Sequence, residues 1–369
     1  MNQLFRWNQM GLFLLALAAG ILPFAVPEVC AAALREGLTL CSGPLLLSLF
    51  PFLVVSRLLI QCPESDLLAL PFRLAAWGIG IRTPCAARVL CIGFLGGFAP
   101  AASAAAQAVR TGQLTAEEAD ALLPACICSG PSFVVLTVGQ SLLGSAELGV
   151  LLFASQITAN YLTAALLNRF VGVRSVKPGS AAPASPAPPR LDEILADAAI
   201  TYCKLCGFIL FFRMLAAGAG ALLPAGAGTL CSILLEVCSG CDLASRTGRW
   251  GSLLCCAALS VQGLSVLLQV RTICPPEMTL RPLYRARMLH LPLSLALFYL
   301  LLPGGEADVF STLPARVLLM RRVPPDCALL VFAVCCMAAC TLRSGIRQVE
   351  QKQMARNAGG CCINSKTLL

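Results

Sequence analysis

Charge is scarce in this chain. Only 12% of its 369 residues are Asp, Glu, Lys or Arg, about half of what a soluble domain carries. An ordinary water-soluble globular fold is thereby excluded. Histidine is scarcer still, and the single His290 removes most His-based catalysis; its place at the start of an apolar run, beside Arg281–Arg287, predicts an interfacial role. No nucleophile motif, no glycine-rich phosphate loop after a strand and no nucleotide-binding signature occurs. No catalytic residue, cofactor or metal site is therefore expected, and the chain does not read as an enzyme. Nucleic acid is not an expected partner either, because the +9 net charge sits mostly between apolar runs, where Lys and Arg set topology.

What the chain has is apolar length. Hydrophobic residues make up 58% of it and the mean hydropathy is +0.81. The lipid bilayer is the first expected partner, and the fold class is an all-α polytopic membrane protein. Most of the 21 Cys lie inside apolar runs, where they act as small fillers. The Cys203/Cys206 and Cys238/Cys241 spacings read as packing rather than as zinc or redox pairs.

The chain is organised around Leu90–Val138, which is apolar yet broken twice, at Gly96, Gly97 and Pro100 and again at Ser129, Gly130 and Pro131. A bilayer interior tolerates freed backbone groups only where they are buried in protein or line a polar cavity, so paired breaks point to a binding site. The first break predicts a re-entrant hairpin over Arg88–Arg110 turning near Pro100. The second predicts a broken helix that starts at Thr115 in a Thr-x-x-Glu capping box with Glu118. The pattern recurs later: Gly228–Arg246 predicts a second hairpin turning at Ser239-Gly240, and Gly248–Val270 a second broken helix interrupted at Ser260, Val261, Gln262 and Gly263. Three crossings between the pairs would invert the second relative to the first, the plan of many secondary transporters.

The remaining runs complete the frame. Spans are expected over Met10–Pro27, Leu38–Ile60 with a kink near Gly43-Pro44, Glu147–Asn168, Leu191–Leu223, Met288–Leu302 and Asp326–Leu342, with an interfacial helix over residues 66–81. The total is about eight transmembrane helices plus two re-entrant hairpins. Four segments result: an N-terminal membrane half over 1–170, a Pro/Ala-rich linker over 171–190, a second membrane half over 191–342 and a basic tail over 343–369. With both termini cytoplasmic, most Arg and Lys fall on one side.

Four half-helix ends near the bilayer midplane would offer free N–H groups and partial positive charge to an anion. The predicted solute-binding residues are Ser129, Gly130, Pro131, Ser132, Ser239, Gly240, Ser260, Gln262 and Gly263 around the breaks. Arg213 and Glu236 join them as charges inside apolar segments, paired across the cavity or used for the solute or for a coupling ion.

The block from Arg110 to Ser145, RTGQLTAEEADALLPACICSGPSFVVLTVGQSLLGS, with the Gly-rich hairpin before it and LLEVCSG and SVQGLSVLLQV after it, resembles the YlbJ family of sporulation integral membrane proteins. That family carries a nucleoside-recognition Gate domain. The chain departs from it at Cys126-Ile127-Cys128, where the family has Asn-Asn before Ser-Gly-Pro, and in its first hairpin. The resemblance implies transport of a small anionic solute such as dipicolinic acid across the outer forespore membrane of an endospore-forming bacterium. The alternatives are a nucleoside or other small polar solute carrier, or a non-transporting membrane component of spore-envelope assembly.

Overall fold

The computed structural model describes residues 2–62, 64–171 and 191–302. The linker beyond Val171, the expected span Asp326–Leu342 and the basic tail lie outside the described residues. Among those residues there are helices and no strand. In chain order they are α1 (Asn2–Ala25), α2 (Pro27–Ser42), α3 (Pro44–Gln61), the short α4 (Ser65–Leu68) and α5 (Phe72–Gly78), α6 (Pro84–Gly96), α7 (Phe98–Arg110) and α8 (Ala116–Cys126). A π-helical segment, Ser132–Leu142, leads to α9 (Ala146–Val171). Then follow α10 (Leu191–Leu222), α11 (Ala225–Leu235), α12 (Val237–Ser245), α13 (Gly251–Val261), α14 (Gly263–Ile273) and α15 (Arg281–Leu301).

Among the described residues, four stretches are long and apolar enough to cross a membrane: Pro27–Leu47, Ala146–Phe170, Leu191–Leu222 and Gly248–Ile273. Large apolar side chains such as Phe24, Leu47, Phe170, Met288 and Leu300 face outward, fully exposed to the surroundings. Water would make that surface an aggregation site, whereas lipid solvates it. The chain is an all-α membrane protein.

Local chemistry sets the boundaries. Proline opens α2, α3 and α6, where its missing N–H is one of the helix's unpaired donors anyway. The capping box at α8 is present, with Thr115 Oγ1 accepting from the Glu118 amide and Glu118 accepting from the Thr115 amide. α7 is built almost wholly of small residues, and its positions from Ala99 to Ala106 are all buried, which lets neighbouring backbones approach.

Several expectations need correction. The apolar part of α1, Phe13–Ala25, is short, and the longer run begins at Pro27. The expected kinked span Leu38–Ile60 is instead two helices parting at Gly43, because Gly43-Pro44 ends one helix and starts the next. In place of the one interfacial helix expected over 66–81 there are two short ones, Ser65–Leu68 and Phe72–Gly78, and neither is long enough to cross, as expected. The first hairpin turns at Gly97 rather than near Pro100, which sits in the first turn of α7. The second turns at Glu236 rather than at Ser239-Gly240, both of which lie inside α12.

Candidate functional site

Each half of the chain repeats one construction. α6 and α7 form a hairpin, α8 and the π-helical segment form a broken helix, and α9 follows as a long helix. In the second half α11 and α12 form the hairpin, α13 and α14 the broken helix, and α15 the long helix. In both, the hairpin tip rests on the break. A Cβ added at Gly97 would lie 2.7 Å from the amide nitrogen of Gly130 and 3.2 Å from the Cys128 carbonyl oxygen. A Cβ at Gly263 would lie 2.9 Å from the amide nitrogen of Glu236 and from the Leu235 carbonyl. No side chain fits between tip and break in either half. The halves also cross-pack: α14 lies on α7, and α12 on the π-helical segment.

The predicted residues divide accordingly. Gly96 and Gly97 meet Gly130 in the first half, beside the buried Ser129 and half-buried Pro131 and Ser132. Glu236 meets Gly263, the residue after Gln262, in the second. Glu236 is 2% exposed and acts as the N-cap of α12, its carboxylate accepting from the amides of Cys238 at 2.9 Å and Ser239 at 2.7 Å. Its negative charge is thus fixed on a helix N-terminus, a favourable place for it. Arg213 on α10 pairs with Glu36 of α2 at 2.7 Å. The expected pairing of Arg213 with Glu236 across the cavity is replaced by Arg213–Glu36, and Asp242 of the second hairpin pairs locally with Arg246. Gly240 serves packing, since a Cβ there would meet the Ile233 backbone at 2.8 Å.

A polar centre ties the breaks together; it holds the predicted Ser260 and Gln262, but Arg287, Asn160, Gln156 and Ser294 were not singled out from sequence. Arg287 on α15 donates to the Ile127 carbonyl at 2.6 Å and to the Ser260 carbonyl at 3.3 Å. These are carbonyls at the C-terminal ends of α8 and α13, so one guanidinium offsets the partial negative charge of both half-helices. Asn160 on α9 reaches the same Ile127 carbonyl at 3.3 Å, and Gln156 donates to Ser260 Oγ at 3.0 Å. Ser294 on α15 bonds Ser260 through their hydroxyls. His290, expected at the interface, is instead 1% exposed in this centre, with Nε2 donating to the Gln156 carbonyl at 3.2 Å. The sequence signal for α9 was there as Gln156, Asn160 and Thr163 at helical spacing on one face of an otherwise apolar helix.

The centre has unmet hydrogen-bonding capacity. Gln262 is fully buried, adopts a left-handed φ of 64° and has no partner for either polar atom of its carboxamide among the described residues. Gln156 Oε1, Gln269 Oε1, Arg287 Nε and His290 Nδ1 are buried without partners as well. Native folds satisfy nearly all such groups, so this cluster of buried polar atoms stands apart from an ordinary packed core.

A clasp positions α15. Asp120 on α8 accepts from the Thr279 amide at 2.8 Å, the Thr279 hydroxyl at 2.7 Å and the Leu280 amide at 3.1 Å, holding the loop that leads into α15. In that loop burial pushes the Cys274 thiol up to about 12, so it stays protonated and unreactive at neutral pH. Among the described residues no group of three His, Cys, Asp or Glu side chains lies close enough to hold a metal ion. Comparison with known protein families, curated proteins and solved structures gives no match, and the site is interpreted from its own geometry.

Proposed function

We propose that this protein is a membrane carrier for a small polar solute, bound in the polar centre that borders the two tip-on-break contacts. The observation that carries the reading is the repeated tip-on-break contact, Gly97 on Gly130 and Gly263 on Glu236, beside the unpartnered carboxamide of Gln262. Discontinuous helices in corresponding positions of two halves are the usual pointer to a transporter site. The same order of elements in each half, with the α8–π segment, α9 and α10 lying between the two hairpins, supports an inverted repeat of about eight spans plus two hairpins with both termini cytoplasmic. The finer reading is an anionic solute such as dipicolinic acid, moved across the outer forespore membrane of an endospore-forming bacterium. It rests on the YlbJ-family resemblance. The neutral Gln262 carboxamide favours a second reading, an uncharged polar solute such as a nucleoside.

Uptake into proteoliposomes separates these. Radiolabelled dipicolinate should enter saturably and resist competition by unlabelled nucleosides. Uptake of labelled uridine instead would select the neutral solute, and flat time courses for both from folded, inserted protein would retire the carrier reading.

A further inference from the structure

Away from the breaks, α3, α7, α10 and α14 enclose a cavity of about 290 Å³. Its wall carries three cations, Arg57, Arg110 and Lys204, against one acid, Asp197. Arg57 is 6% exposed, and its guanidinium donates to Ser103 Oγ at 3.1 Å, Asp197 Oδ2 at 2.7 Å and Thr201 Oγ1 at 3.0 Å. A buried guanidinium needs a paired anion. The anion supplied is a carboxylate whose side chain is 62% exposed, so it stands at the mouth and can swing into solvent without leaving a buried charge of its own. Arg110 and Lys204 are exposed at the same mouth. Arg110 donates to the Ile273 carbonyl at 3.4 Å, and neither cation has an acidic partner among the described residues. Two positive charges are left without a counter-charge, beside an apolar wall of Ile200, Leu205 and Phe208.

We propose that this cavity binds a small organic dianion, one acidic group displacing Asp197 from Arg57 and the other meeting Arg110 and Lys204. The buried fork of Arg57 matches the planar geometry of a carboxylate, and Asp197 holds that position. The volume lies at the small end of ligand pockets, and the apolar wall takes the carbon body. The site's role as an entrance rests on the carrier reading, whereas binding itself does not. α7 and α14 run back from the cavity to the Gly97 and Gln262 breaks over ~20 and ~16 Å. That is about half of a ~30 Å hydrocarbon core, which puts the cavity at the membrane surface if the breaks are at its midplane.

The test is thermal unfolding of the purified full-length protein with pyridine-2,6-dicarboxylate, succinate, benzoate or inorganic phosphate, each against potassium chloride at equal ionic strength. The dicarboxylates should raise the Tm, with half-saturation at least tenfold below that of benzoate or phosphate. Asp197→Asn should lower the Tm in chloride and bind dicarboxylate at least tenfold more tightly, because the resident carboxylate no longer competes. Arg110→Gln with Lys204→Gln should keep the wild-type Tm in chloride and lose at least tenfold in dicarboxylate affinity; this pair carries the test alone if Asp197→Asn does not fold. Dicarboxylates acting no better than chloride or phosphate, unchanged affinity in the Arg110/Lys204 double variant, or a folded Asp197→Asn that binds no more tightly would each overturn the proposal. Uptake is read separately. Binding without uptake retires the carrier and keeps the site, while full uptake by a double variant that no longer binds retires the cavity as the entrance.

Discussion

Gln262 carries two costs that the fold does not offset. A left-handed non-glycine residue loses ~1–2 kcal/mol, and a buried amide without partners loses about 1–3 kcal/mol more; Gln262 has both its φ of 64° and its unpartnered carboxamide. Glycine would serve the backbone alone. Gln262→Gly is therefore expected to raise the unfolding temperature, since relief of both costs outweighs the ~0.5–1 kcal/mol entropy penalty of glycine. The same variant should lose at least tenfold in solute uptake. A Tm gain with full uptake would remove the carboxamide from the binding site. Glu236 is the opposite case, a buried acid whose oxygens are both engaged with the N-terminus of α12, so its charge stabilises structure.

At the level of elements, the working contact is hairpin tip on helix break, and two glycines isolate it. Gly112 and Gly263 share a φ of +69°, but a Cβ on Gly112 meets nothing within 4 Å while one on Gly263 meets the Glu236 amide at 2.9 Å. Gly112→Ala should cost only the conformational strain, ~1–2 kcal/mol, and keep uptake. Gly263→Ala should cost more and abolish uptake, because the tip must lift off the break; equal behaviour of the two variants in unfolding and uptake assays would remove the contact from the mechanism. These breaks were readable in the sequence because clustered Gly, Ser and Pro weaken a helix inside an apolar run, whereas single prolines such as Pro51 and Pro124 stay within theirs. The turns were less so. Both hairpins turn three residues before the expected point, at Gly97 rather than Pro100 and at Glu236 rather than Ser239, since a helix's first turn accommodates Pro or Ser-Gly without ending. Glu236 read as a functional charge because nothing local distinguishes a buried N-cap from a ligand-binding acid. Asn160 and Gln156 escaped notice for want of a charge or a breaker in α9. Arg287, in a cluster with Arg281 and Arg285, passed for a topological charge. The Arg213 partner, Glu36, lies 177 positions away in the chain, beyond any local pattern.

Among the described residues as a whole, a hairpin, a broken helix and a long helix occur in that order on each side of residues 172–190, and the two sets pack on each other. α14 lies on α7, α12 on the π-helical segment and α15 on α8 and α9, while Asp120 of the first half holds the loop before α15. Cutting the gene within the segment coding for residues 172–190 and expressing both parts together should restore protein that co-purifies and transports. The first part alone should be degraded. A first part that accumulates and resists proteolysis by itself would show that the halves are independent after all.

Arg287 also sets an order of events during synthesis. The Ile127 carbonyl receives its short bond from a residue 160 positions later, which at ribosomal speeds of 5–20 residues per second is a delay of about 8–32 s. Until then its only partner among the described residues is the 3.3 Å bond from Asn160, and the end of α8 is left half-satisfied. A ribosomal pause placed between codons 171 and 287 would lengthen that wait and is expected to lower the yield of folded protein.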